Sequence, residues 1–167
     1  PSYKLAYNMK FPGTYAAYAV IMSMFGQTSI GIHLGLLLVN AATCVLIFFL
    51  GRQLVNLTLG LAAAMSYAVL SVNPSVLGFA GHATHFVLLP VLGGTLLLLN
   101  SRERRTFGRI FVSGPLFGIG LLMKQPGVFF ALFGAIYLVS SDLYRRIQVK
   151  TILLRSVIFS GGVILPI

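Results

Sequence analysis

The run Ser101-Arg102-Glu103-Arg104-Arg105-Thr106-Phe107-Gly108-Arg109 is the densest concentration of charge in the chain. It lies between two long apolar segments, and no Lys, Arg, Asp or Glu occurs between Arg52 and Arg102. A loop of this kind is excluded from hydrocarbon, and its excess of Lys and Arg marks it as cytoplasmic. The alternate connectors agree. Arg52, then Arg102, Arg104, Arg105 and Arg109, then Arg145, Arg146, Lys150 and Arg155 fall on one side; Lys4, Lys10 and Lys124 fall on the other. The outer face then carries the N-terminal segment, the loop from Asn73 to His85 and the turn from Lys124 to Gly127.

Composition supports a membrane origin. The chain is 57% hydrophobic and 8% charged, whereas soluble domains carry about 25% charged residues. Glu103 and Asp142 are its only acids. The net charge of +10 does not point to nucleic acid, because the basic residues alternate with apolar spans instead of gathering on one soluble face. The single cysteine, Cys44, lies in an apolar run and forms no internal disulfide.

The apolar runs set the expected elements. Pro12-Gly13 opens a helix from Thr14 to Phe25, since proline suits the first helical turn. That run is shorter than the ~20 residues of a span, and its Tyr and Met residues suit a helix lying in the interface; half of a first span is the alternative. Gly26-Gln27-Thr28 ends it. Spans follow at Ser29–Leu50, Leu54–Val72 and His82 or Ala83 to Asn100, the last interrupted by Pro90 and Gly93-Gly94. Two shorter runs, Ile110–Met123 and Val128–Ser141, form a hairpin about the polar turn Lys124-Gln125-Pro126-Gly127. A sixth span begins at Thr151.

The expected fold is all-α: a polytopic transmembrane helix bundle of about five complete spans plus a truncated sixth, with a juxtamembrane interfacial helix. It forms one transmembrane domain over 1–167, with outer loop and interfacial helix in 1–27 and the bundle in 28–167. Small residues on the spans, among them Gly31, Gly35, Gly60, Gly114, Gly118 and Gly120, favour close helix packing in a bilayer. Pro1-Ser2-Tyr3-Lys4 and the apolar end Leu165-Pro166-Ile167 read as the limits of an internal fragment.

Candidate chemistry is confined to the outer face. No phosphate loop, HExxH, nucleophile elbow or cysteine pair is present. His82 and His85, three apart, share a face if helical. Two histidines without a further acid or thiol do not make a metal site, so a structural pair or contacts to a polar substrate are expected, and no metal. His33, near the outer end of the first span, reads as a packed histidine. Lys124 stands out: a cation near membrane depth is costly and points to function, although a lysine can also snorkel to the headgroups. Lys10 is a second outer cation. A lysine ammonium is a compact charge for phosphate, so these residues suit a lipid-linked phosphate.

In order, Lys10-Phe11-Pro12-Gly13, Phe25-Gly26-Gln27, Leu50-Gly51-Arg52-Gln53-Leu54, Gly60-Leu61-Ala62-Ala63, Ser71-Val72-Asn73-Pro74 and Gly118-Ile119-Gly120-Leu121-Leu122-Met123-Lys124-Gln125-Pro126-Gly127 resemble the GT-C membrane glycosyltransferases of the protein-mannosyltransferase and aminoarabinose-transferase superfamily. The resemblance covers nearly the whole chain; its specificity lies in the order and spacing of the motifs.

It implies an integral, multi-pass enzyme of a bacterial plasma membrane that moves a hexose or pentose from a polyprenyl-phosphate carrier to a glycan, lipid or protein acceptor at the outer face. The lipid-linked sugar is a co-substrate, and no cofactor is expected. Lys10 and Lys124 match family lysines near the donor phosphate, with Gln125, His82 and His85 as further substrate contacts. His85 falls where many members have an acid. The family's catalytic carboxylate would precede Pro1, so no catalytic residue is assigned. A transporter or flippase for a lipid-linked or anionic substrate is the alternative, and a structural membrane subunit a third.

Overall fold

The computed structural model describes residues 11–71, 83–100 and 107–167. All its regular elements are helices: α1 Pro12–Phe25, α2 Ser29–Leu54, α3 Leu57–Ser71, α4 Ala83–Asn100, α5 Phe107–Met123, α6 Gly127–Tyr144 and α7 Val149–Ile164. Three of these, α2, α4 and α6, are long and apolar enough to cross a membrane. The spans expected in α3 and α5 are helical but reach 15 and 17 residues among the described positions.

Local chemistry sets the boundaries. Pro12 occupies the first turn of α1, and Gly26 ends it at φ 81°, a left-handed conformation that glycine adopts at no steric cost. Thr28 caps α2, its Oγ1 accepting from the Gly31 N–H at 3.0 Å, as N-cap hydroxyls do. The first span runs one turn past the expected stop at Leu50 because Gly51 does not break it. Gly51 instead lies against Gly60 of α3, where a Cβ would meet the Gly60 Cα at 2.8 Å. Asn56 then starts α3, its Oδ1 accepting from the Leu59 N–H at 2.8 Å. Pro90 lies within α4 and Pro115 within α5, and neither interrupts its helix.

Helix α5 is the hub. It packs on α4, α6, α7 and α1, and its Phe117 is wholly buried. Phe117 and Phe159 meet edge to face at 5.6 Å within a core of Val87, Val91, Leu98, Ile110 and Leu138. A second cluster, Ile21, Leu36 and Phe86, joins α1 to α2 and α4. Both ends of α1 lie at one end of the bundle: the Thr14 hydroxyl donates to the Met123 carbonyl at 3.0 Å, while Phe25 abuts Gly31 at the start of α2.

The exterior, unlike that of a soluble domain, is largely apolar, and hydroxyls lie among the buried residues. Thr14, Thr43 and Ser113 are wholly buried, while Leu37, Met65, Val69, Phe129, Ile136 and Val157 are exposed. Each buried hydroxyl finds a backbone acceptor, Thr43 on Val39 at 2.8 Å and Ser113 on Ile110 at 2.7 Å. In hydrocarbon a polar group must be satisfied internally, whereas an outward leucine is in its preferred solvent. The molecule is a helical bundle of an integral membrane protein.

Candidate functional site

Two ends of the bundle are chemically distinct. At one end, α2 and α4 finish together, the Gln53 Nε2 donating to the Asn100 Oδ1 at 2.8 Å. There Arg109, at the start of α5, donates to the Asn100 carbonyl at 2.9 Å. The same end holds a buried ion pair between α6 and α7. Arg155 meets the Asp142 Oδ1 at 2.6 Å, and its guanidinium lies 5.8 Å from the Phe107 ring centroid. At 1.5 Å rise per residue, Asp142 lies roughly 22 Å along α6 from Gly127.

The opposite end carries Lys124. The chain leaves α5 at Met123 and turns tightly, the Gly127 N–H bonding the Lys124 carbonyl at 2.8 Å. Gly127 sits directly on the Gly120 carbonyl, where no Cβ would fit. The closeness of that contact makes glycine the residue that closes this hairpin. Lys124 is thereby held just outside both helices, partly exposed, with Gln125 exposed beside it. Its Nζ donates to the Thr84 Oγ1 at 3.1 Å, which ties the α5–α6 turn to the start of α4. Thr14 ties the adjoining Met123 carbonyl to α1. Three elements thus converge on the lysine.

His85 follows Thr84 but turns into the bundle and is 5% exposed. Beside it Phe86 meets the Tyr18 ring edge-on at 5.4 Å. Burial pushes the Tyr18 phenol above its ordinary pKa. His33 departs from expectation. It is exposed on α2, because Gly31 and Gly35 are the residues that face inward. Lys10 and His82 lie outside the described residues. The structure therefore brings Lys124, Gln125 and His85 to one end. It adds Thr84 and Thr14, which sequence reasoning missed. Both were discernible as lone hydroxyls, Thr84 between two histidines and Thr14 just after Pro12-Gly13.

Chemically, this end offers a cation oriented by a hydroxyl, amide groups on an exposed turn and a buried imidazole behind them. Among the described residues it has no carboxylate, since Asp142 is paired at the far end. No group of three or more His, Cys, Asp or Glu able to hold a metal occurs among them either. The arrangement suits binding of an anion at the bundle surface. Compared with known proteins, residues 10–166 match the family described as Dolichyl-phosphate-mannose-protein mannosyltransferase. No curated protein and no solved structure matches the chain.

Proposed function

Because the chain belongs to the dolichyl-phosphate-mannose-protein mannosyltransferase family, a family of membrane glycosyltransferases, we propose that it works on a polyprenyl-phosphate-linked sugar, with Lys124 contacting the donor phosphate. The supporting observation is the position of Lys124, held by Thr84 at 3.1 Å at the end of the bundle away from Arg109 and Arg155.

Breaking the bond between the sugar's anomeric carbon and the phosphate oxygen leaves a phosphate that gains negative charge. A fixed ammonium is worth most where charge develops in the transition state. Lys124 meets that need, and its hydrogen bond to Thr84 limits the orientations it samples. Gln125 supplies amide donors on the same turn. Lys10, His82 and His85 are assigned to further substrate contacts. The acceptor's proton requires a base; no catalytic residue is assigned to that role. The reaction faces outward across a bacterial plasma membrane, and the acceptor is a glycan, lipid or protein.

Secondary-transporter sites are typically formed by discontinuous helices. Here the two intrahelical prolines leave α4 and α5 continuous, which favours the enzyme over a transporter or flippase.

The test uses the full-length protein with polyprenyl-phosphate mannose as donor. Lys124→Ala is expected to lower kcat by about 10²-fold, the scale of losing one oxyanion-stabilising donor, with Lys124→Arg recovering part of it. Unchanged turnover of Lys124→Ala at saturating donor removes the phosphate role.

A further inference from the structure

At the arginine-rich end, α2 and α4 flank an open cleft of about 470 Å³ lined by Phe49, Arg52, Gln53, Leu96 and Asn100. Its volume falls within the range of small-molecule sites. Nothing in the donor-site reading uses it, and it lies at the end of the bundle away from Lys124.

The lining residues are ordered along the helix axis. Phe49, Arg52 and Gln53 are spaced i, i+3 and i+4 on α2, and Leu96 and Asn100 are spaced i and i+4 on α4. Both sets therefore present one face. Phe49 precedes Arg52 by about 4.5 Å of helix rise, and Leu96 precedes Asn100 by about 6 Å. From the middle of the bundle outward, the cleft therefore passes from apolar side chains to a polar level that holds the Arg52 guanidinium and the Gln53 and Asn100 amides. Gln53 and Asn100 are already joined at 2.8 Å, which ties α2 to α4 at the polar level. Each amide carries two N–H groups, and the Gln53–Asn100 bridge uses one of Gln53's. Arg109 donates to the Asn100 carbonyl from α5, although it does not itself line the cleft.

A phospholipid has the same division: an apolar acyl chain, then a polar end of esters and phosphate. Phe49 is 46% exposed, so an acyl chain can lie on it from the surrounding bilayer. Arginine's planar fork matches phosphate oxygens in a way lysine does not. A soluble phosphate would use the guanidinium but gain nothing from Phe49 and Leu96.

We propose that this cleft binds one anionic phospholipid of the leaflet facing the arginine-rich end, with its phosphate on Arg52, the Gln53 and Asn100 amides beside its polar end, and an acyl chain on Phe49 and Leu96. The site is independent of sugar transfer, and its test reads lipid binding only.

The full-length protein is purified in detergent, and lipid retention is measured by native mass spectrometry against phosphatidylglycerol and phosphatidylcholine of matched chains. Phosphatidylglycerol is expected to bind at least about fivefold tighter, the scale of one basic residue near an anionic lipid surface. Arg52→Gln should abolish that preference. Leu96→Trp, which keeps the charge and fills the cleft, should reduce retention of phosphatidylglycerol. Equal retention of the two lipids by the unaltered protein overturns the proposal, as does full displacement of phosphatidylglycerol by millimolar inorganic phosphate, which identifies a soluble anion instead. Because the first comparison needs no variant, a failure of Arg52→Gln to fold leaves the proposal open to refutation.

Discussion

The hydroxyl of Thr84 is the described partner that orients the Lys124 ammonium at 3.1 Å. An exposed bond of this kind contributes at most about 1 kcal/mol, so Thr84→Val is expected to weaken donor use by up to about fivefold while leaving thermal stability unchanged. Steady-state kinetics with polyprenyl-phosphate mannose checks it, and an unaltered kcat/KM removes Thr84 from the site. Asp142 and Arg155 give the contrasting case, a buried pair at 2.6 Å with 6–7% of each side chain exposed. Removing one partner strands the other charge, which costs about 3–5 kcal/mol. Arg155→Met should therefore lower the unfolding midpoint in detergent strongly. Arg155→Met combined with Asp142→Leu should recover most of the loss, because a buried ion pair and its apolar replacement are similar in energy. A double variant as unstable as the single one contradicts this.

Among the elements, α5 depends on backbone proximity. A Cβ at Gly114 would meet the Phe159 carbonyl oxygen at 2.6 Å and the Gly162 Cα at 2.8 Å. Because both obstacles are backbone, Gly114→Ala is expected to part α5 from α7 and destabilise the bundle by about 1–3 kcal/mol, read as a lower midpoint of thermal aggregation in detergent. Proline spacing and the polar turn had already indicated α1 and the α5–α6 hairpin, since Pro12, Gly26 and Lys124-Gln125-Pro126-Gly127 act locally. The bounds of α2, α3 and α6 were less legible. Gly51 reads as a helix end until its contact with Gly60 is seen, and α6 runs past Ser141 because Asp142 meets Arg155 on a neighbouring helix. The candidate site was legible in Lys124 and Gln125, which sit on a local turn. Its hydroxyl partners were not, because Thr84 is 40 positions away and Thr14 is 109 from Met123.

For the molecule as a whole, the division of charge between the two ends is the testable property. With Cys44 replaced by serine, a cysteine at Gln125 should react with a membrane-impermeant maleimide in intact cells. A cysteine at Lys150, exposed at the start of α7, should react only after permeabilisation. Labelling of both from the same compartment would refute the orientation. The link between Asp142 and Arg155 also bears on how the chain reaches its membrane. An arginine at the centre of a membrane-spanning helix costs about 2.5–3.5 kcal/mol at the translocon, and Arg155 lies buried within α7. Its neutralising carboxylate is on the preceding helix. The last two helices are thus expected to leave the translocon together, α6 waiting at the lateral gate until α7 has been synthesised.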